Sequence, residues 1–134
     1  GGKIWLDPRI QSKYYSRKNL KALAKQYWGY GYWKVKMLLR YPKTIRIRQA
    51  IPPLFTMSIA LLAIISFFLP FARIILEVEI GVYILALLIV SINTTFTHRE
   101  SCFLLMPFVM STMHFSWGSG FIYSLLTSLL NKSK

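Results

Sequence analysis

The sequence separates its charges from its apolar residues, and this separation limits the folds open to the chain. Residues 1–48 hold 13 of the 17 Lys and Arg residues and a single acidic residue, Asp7. Residues 49–134 hold only four bases and three acids. A chain of 134 residues forms one domain at most. A basic N-terminal part therefore precedes an apolar remainder.

The apolar remainder contains three runs without Asp, Glu, Lys or Arg, which cover residues 49–72, 80–97 and 101–131. A helix that spans a membrane needs roughly 20 apolar residues. We therefore predict an all-α membrane fold, in which an amphipathic interface helix precedes two or three transmembrane helices near 51–71, 80–97 and 102–130. The alternative is a buried soluble bundle, but little polar surface would remain to cover such helices.

The basic residues also predict an orientation. Because Lys and Arg collect on the cytoplasmic side of spans, the N-terminal part should be cytoplasmic, at a bacterial inner (plasma) membrane. Three spans would place residues 73–79 in an external loop, with Glu77 and Glu79 solvated. Lys132 and Lys134 oppose an external C-terminus, and a re-entrant third segment would return it to the inside.

Residues 16–50 are predicted to form a basic amphipathic helix and a linker. Ser16 is a plausible N-cap, and the helix should end near Tyr41, before Pro42. One face has apolar or small residues at helical spacing: Leu20, Leu23, Ala24, Tyr27, Gly31, Val35 and Leu38. The opposite face carries Lys18, Lys21, Lys25, Lys36 and Arg40. Beside a span, such a helix is expected to lie at the lipid bilayer surface.

This helix contains QYWGYGYWK, residues 26–34, in which five of nine residues are aromatic. Tyr27, Trp28 and Lys34 have the residue types that favour the membrane interface. Aromatic residues among bases also occur in nucleic-acid binding surfaces. However, charge beside a span is already explained by topology and anionic lipid, so we predict no nucleic-acid partner. Gly29 and Gly31 imply a break in the helix or close backbone packing; the alternative is an irregularity that the helix tolerates.

The third apolar run contains HFSWGSGF, residues 114–121, where two glycines favour a broken helix or a re-entrant turn. His114 and Trp117 are therefore candidate intramembrane polar residues. The alternative is helix–helix packing around a hydrogen-bonded His114. The spacing of His98, Cys102 and His114 matches no usual zinc pattern, so no metal site is expected in this chain.

The order of residues 14–53 carries a family resemblance. Residues 20–34 match the pattern L-x-x-L-A-x-Q-Y-x-x-Y-G-x-W-K, a basic stretch and Pro52-Pro53 follow, and HFSWGSGF is also similar. The chain resembles the segment after the catalytic domain in membrane-bound family-2 glycosyltransferases, in the branch that resembles succinoglycan-type exopolysaccharide enzymes. The resemblance covers nearly the whole chain.

The resemblance implies a longer protein, and the start at Gly1-Gly2 without Met agrees with a fragment. Residues 1–15 would end a truncated GT-A catalytic domain, with residues 3–6 as its last strand. The absent domain would bind the nucleotide-sugar donor and a divalent metal, Mg or Mn, through its aspartates. The implied reaction is inverting transfer of a sugar to a lipid-linked or glycan acceptor in cell-envelope or exopolysaccharide synthesis. No catalytic residue is expected here, so this chain alone should be inactive.

Related polymerising enzymes carry a Q-x-x-R-W motif on their interface helix. Gln26 matches it, whereas Gly29 and Tyr30 replace the Arg and the Trp, which favours single-sugar addition. At 100° per residue, Gln26, Tyr30 and Trp33 fall within about 60° on one helix edge. They are candidate acceptor-binding residues; the alternative is two aromatics at the lipid interface.

The competing hypothesis for the whole chain is non-enzymatic. A small basic membrane protein that anchors to anionic lipid or packs with a partner has the same composition. The genomic DNA upstream of Gly1 discriminates the two, because an open frame with aspartate motifs supports the enzyme, whereas a start codon there supports the small protein.

Overall fold

The computed structural model describes residues 5, 7, 9–11, 13, 17–44, 47–98 and 104–132. This part of the chain contains four α-helices: α1 (Leu20–Arg40), α2 (Ile47–Ile65), α3 (Pro70–His98) and α4 (Met106–Lys132). A 3₁₀ turn, Pro42–Thr44, leads from α1 towards α2. The helical part of the predicted fold is confirmed.

The predicted remnant strand at residues 3–6 is not supported. Trp5 is the one residue of this segment that the structure describes; it has no regular secondary structure and is 90% exposed. The described residues contain no strand that could pair with it, and a single strand has no stability of its own. The rest of the segment lies outside the described residues.

A turn follows at Asp7, directly after the predicted strand. The backbone N–H of Ile10 donates to the Asp7 carbonyl at 3.2 Å. The Arg9 guanidinium and backbone N–H donate to the Asp7 carboxylate. These hydrogen bonds lower the pKa of the Asp7 carboxyl and raise the pKa of Arg9. Among the described residues, local polar contacts therefore hold the turn.

Helix α1 begins later than predicted. Its N-cap is Asn19, whose side chain accepts from the backbone N–H of Ala22 at 2.8 Å, while Ser16 lies outside the described residues. Its buried face contains Gly31 and Val35, as the periodicity predicts. The predicted cationic face is confirmed except at Lys36, which is half-buried and donates to Ser128 Oγ of α4 at 2.9 Å.

Two helices are long and apolar enough to cross a membrane, and they cover Ile47–Ile65 and Pro70–Phe96. Only 6% and 11% of their most apolar segments are buried inside the structure. The apolar core helices of a soluble bundle would be covered by protein instead. Within the described residues α4 does not meet the same criterion, so the structure supports two candidate spans rather than three.

Residues 73–79 belong to α3 rather than to a loop. Pro70, which falls within the last residues of the predicted span 51–71, is the first residue of α3, a position that proline favours. Arg73 and Glu77 form an i, i+4 ion pair at 3.0 Å. Glu79 accepts a hydrogen bond from Ser58 of α2. Each of these three charged residues has a polar partner, within α3 or on α2, and the helix continues through them.

Helix α4 is continuous through 114–121, so the predicted break is wrong there. Its two glycines serve close packing instead. A Cβ at Gly118 would overlap the side chain of Thr56 in α2, and one at Gly120 would overlap the backbone of Trp28 in α1. Helix α4 therefore packs on α2 and α3 through its first half and on α1 through its second half.

Candidate functional site

The predicted helix edge forms the wall of an open groove on α1. Gln26, Tyr30 and Trp33 lie together there, as their spacing predicts. The groove has a volume of about 460 Å³, and we call it the α1 groove. Its remaining lining residues are Arg17, Ala22, Lys25 and Gly29.

Hydrogen bonds orient the amide of Gln26 in the α1 groove. Arg17 Nε donates to Gln26 Oε1 at 2.8 Å, and Gln26 Nε2 donates to the hydroxyl of Tyr30. Tyr30 and Trp33 are 51% and 69% exposed. An oriented amide beside two open aromatic faces can hydrogen-bond and stack on a ligand at the same time.

The floor of the groove depends on Gly29. A Cβ built at Gly29 meets nothing within 4 Å, so this glycine faces open space. Gly31, two residues later, faces the other way, where a Cβ would overlap the carbonyl oxygen of Trp117. Gly29 widens the groove, whereas Gly31 brings α1 into contact with α4.

The three residues assigned to the membrane interface have different surroundings. Tyr27 contacts Tyr30 edge to face, with ring centroids 5.5 Å apart. Trp28 stacks on Tyr32 at 5.6 Å and lies 5.5 Å from Tyr123 of α4. Lys34 is half-buried. Trp28 thus belongs to an aromatic cluster that joins α1 to α4, and the interfacial role of these residues stays a prediction.

A second, more polar space lies between three helices, and we call it the α1/α2/α4 cavity. Its volume is about 900 Å³. It is lined by Tyr27 of α1, by Arg48, Gln49 and Pro52 of α2, and by Met113, His114 and Trp117 of α4. The structure therefore brings both candidate polar residues of the third apolar run to one cavity.

His114 is held by a neighbouring helix. Its Nδ1 lies 3.1 Å from the hydroxyl of Tyr83 in α3, and the Tyr83 ring packs on Phe55 and Phe115. The hydrogen-bonded packing histidine that the sequence left as an alternative is thus observed. His114 also lines a smaller apolar cavity of about 240 Å³ between α2, α3 and α4, so it stands between the two spaces.

Sequence reasoning missed Arg17 and Arg48. Arg17 lies outside α1 and nine residues from Gln26, so no helical period relates the two. Arg48 carried no local signal, because the structure alone places it in the first turn of α2. No group of three His, Cys, Asp or Glu residues lies together in the described part of the chain. Cys102 and the His98 side chain lie outside that part.

Comparison with known proteins gives one curated relative. The chain is similar to a succinoglycan biosynthesis protein, ExoA, of Rhizobium meliloti (strain 1021), with 30% identity over 129 residues. The aligned segment is 94% of this chain and 37% of that protein, so the chain spans little more than a third of its relative. No protein-family model matches the chain. No solved structure matches it either.

Proposed function

We propose that this chain is the membrane region of an inverting family-2 glycosyltransferase that works in exopolysaccharide or cell-envelope synthesis. In this proposal the enzyme transfers a sugar from a nucleotide-sugar to a lipid-linked or glycan acceptor. The chain anchors the enzyme in the bacterial inner membrane, with its basic N-terminal part on the cytoplasmic side. It also holds the acceptor near the catalytic domain of a longer protein.

Three observations support the proposal. Similarity to a succinoglycan biosynthesis protein extends over nearly the whole chain. Two apolar helices with little protein cover supply an anchor. The α1 groove carries the proposal furthest, because an oriented amide and two open rings on a basic helix are suited to a sugar. Sugars present apolar C–H faces and hydroxyls that need hydrogen-bond partners.

In the proposed reaction the chain positions the acceptor and performs no covalent chemistry. The rings of Tyr30 and Trp33 stack on the acceptor sugar, and the Gln26 amide hydrogen-bonds one of its hydroxyls. Arg17 and Lys25 at the rim attract phosphate groups of the substrates. Holding the reactants in register is itself a large part of catalysis.

The divalent metal that this enzyme class uses does not fit the described residues. Their carboxylates are Asp7, Glu77 and Glu79, which bond to Arg9, Arg73 and Ser58 and do not lie together. We therefore assign metal and nucleotide binding to the proposed catalytic domain and derive no step through them here.

The test uses the open reading frame that contains this chain, expressed in membranes and assayed for sugar transfer. Gln26→Ala and Trp33→Ala should each raise the KM for the acceptor about tenfold, the effect of losing one good polar or stacking contact. The KM for the donor should change less than about twofold, because the groove does not contact it.

Matched controls are Lys21→Ala and Leu39→Ala, which alter exposed residues of α1 outside the groove. They should leave both KM values unchanged. An acceptor KM that is the same in the groove variants and the controls contradicts the groove as acceptor site. A reading frame without a nucleotide-sugar domain supports the non-enzymatic anchor instead.

A further inference from the structure

We propose that a groove between α2 and α3 docks a transmembrane helix from outside this chain, through a basic side chain that pairs with Glu79. The groove is lined by six residues of α2 between Ile51 and Leu61, together with Glu79, and we call it the α2/α3 groove. Its volume is about 500 Å³. The inference goes beyond the proposed function and rests on it only for placing α2 and α3 in the membrane.

The two polar residues of the groove lie deep in the candidate spans. Ser58 is seven residues from the nearer end of α2, and Glu79 is nine residues from the start of α3. At 1.5 Å per residue, these positions are about 10 Å and about 14 Å from the helix ends. The hydrocarbon core of a bilayer is about 30 Å thick, so both residues lie inside it.

Glu79 lacks the cation that its neighbour has. Glu77, two residues earlier, pairs with Arg73 at 3.0 Å. Among the described residues no base forms an ion pair with Glu79, whose hydrogen bond comes from the neutral hydroxyl of Ser58. A carboxylate within a membrane is costly unless its charge is paired, so such a residue marks a site with a partner.

Ser58 satisfies only part of this carboxylate. Its hydroxyl has one proton and two acceptors within reach, the carbonyl oxygen of Phe55 at 2.9 Å and the carboxylate of Glu79. An ionised carboxyl offers about four acceptor positions. The other residues that line the groove are apolar, so further donors must come from outside. An ammonium or guanidinium group supplies them together with the missing charge.

The apolar part of the groove has the spacing of a seam between two helices. Ile51, Leu54, Ser58 and Leu61 follow one another at steps of three, four and three residues, as the a and d positions of a heptad do. The three apolar members are 50–61% exposed, and none of the residues that line the groove belongs to α1 or α4. A helix satisfies its own backbone, so it is the element that can fill such a groove in a membrane.

A second copy of this chain does not supply the cation at this depth. The Lys and Arg residues of the two candidate spans are Arg48, in the first turn of α2, and Arg73. Arg73 is about 9 Å along α3 from Glu79 and already pairs with Glu77. Copies inserted in the same orientation keep equal residues at equal depth. The occupant is therefore another helix, with one Lys or Arg near its centre.

A designed peptide tests the site without any transfer assay. The full chain, labelled with a fluorophore at its single cysteine, Cys102, is reconstituted in phosphatidylcholine vesicles. The probe is a helical peptide of Leu and Ala with one central Lys and a second fluorophore, and energy transfer measures its association. The Lys peptide should associate about tenfold more tightly than the same peptide with a central Gln, because its hydrogen bond is charge-assisted.

Glu79→Gln should weaken association of the Lys peptide about tenfold. The substituted amide still accepts from Ser58, so the contact between α2 and α3 is kept. Glu77→Gln is the matched control, two residues away on the same helix. It should change the association less than about twofold, because Glu77 pairs with Arg73 and does not line the groove.

A second pair of variants keeps the charge and changes the space. Leu61→Trp fills the groove and should weaken association of the Lys peptide about as much as Glu79→Gln does. Ile64→Trp alters an exposed residue of α2 outside the groove lining and should change it less than about twofold. Far-UV circular dichroism should stay unchanged in both variants.

Equal association of the Lys and Gln peptides would overturn the proposal, as would equal effects of the two glutamate variants. Energy transfer between two copies of the chain that is lost in Glu79→Gln would overturn it in favour of self-association. If the preference for the Lys peptide depends on Glu79 but the reading frame shows no sugar transfer, the proposed function fails and the docking site stands.

Discussion

The two faces of α1 contain similar residues and have opposite surroundings. On one face Gly31 and Val35 are buried against α4. On the other face Gly29 opens onto a groove beside exposed Tyr30 and Trp33. The comparison shows that a glycine within an aromatic run has no fixed meaning. Whether another helix lies against the glycine decides its role: Gly31 allows α1 to contact α4, whereas Gly29 leaves space for a ligand.

The largest expected effect separates Gly31 from Gly29. Gly31→Ala should lower the free energy of unfolding by about 3 kcal/mol, because its Cβ would overlap the α4 backbone and force the helices apart. Gly29→Ala should raise it by about 0.5–1 kcal/mol, because alanine favours the helix and meets nothing there. Denaturant unfolding in detergent, followed by circular dichroism, measures both. Changes of the same sign would break the comparison between the faces.

The next largest effect on stability is expected at Gly120, on the α4 side of the contact between α1 and α4. Gly120→Ala should lower the free energy of unfolding by about 2–3 kcal/mol, since its Cβ would overlap the Trp28 backbone. Gly81→Ala in α3 is the matched control, because a Cβ there meets nothing within 4 Å. A Gly120→Ala protein as stable as the control would show that α1 and α4 do not cross at this point.

A smaller effect tests the other half of α4, which packs on α3. Tyr83→Phe should cost about 1 kcal/mol of stability, because it removes the hydroxyl that bonds to His114. A double-mutant cycle with His114→Leu should find most of this cost in the coupling of the pair. Tyr123→Phe serves as the control, since Tyr123 is 53% exposed. A coupling near zero would mean that the two side chains do not bond in solution.

The smallest expected effect on stability is at the α1 groove, where it separates residues that bind a ligand from residues that pack the fold. Gln26→Ala and Trp33→Ala should change the free energy of unfolding by less than about 0.5 kcal/mol, because both act on the open face. Denaturant unfolding in detergent, as for the glycine variants, measures this change in the free energy of unfolding. A large loss of stability would place these residues in the packed structure and would weaken their use as acceptor probes.

Local pattern was enough for much of the fold. The apolar period predicted a buried face of α1 that includes Gly31 and Val35, and run length predicted two or three spans, of which two are supported. The gathering of Gln26, Tyr30 and Trp33 followed from helical spacing alone. These features depend on residues within a few turns of one another, so sequence periodicity contains them.

Features that depend on contacts between helices were predicted wrongly or missed. Residues 73–79 were taken for a loop because they are charged, but Glu79 bonds to Ser58 of α2 and Arg73 to Glu77 within α3. The glycines at 118 and 120 were taken for a break, but neighbouring helices fill the space beside them. Arg48 was read as part of a basic linker, because no local pattern indicates a cavity.

The sequence by itself determined that the chain is helical, that its charge precedes its apolar helices, and that one edge of α1 combines an amide with aromatic rings. Only the tertiary structure decided which glycine of QYWGYGYWK packs and which stays open, and that His114, Trp117 and Arg48 share a cavity. The physical reason is the separation in sequence of the residues that interact. Helix period and hydropathy act along the chain, whereas close packing and cavities arise from residues far apart in sequence.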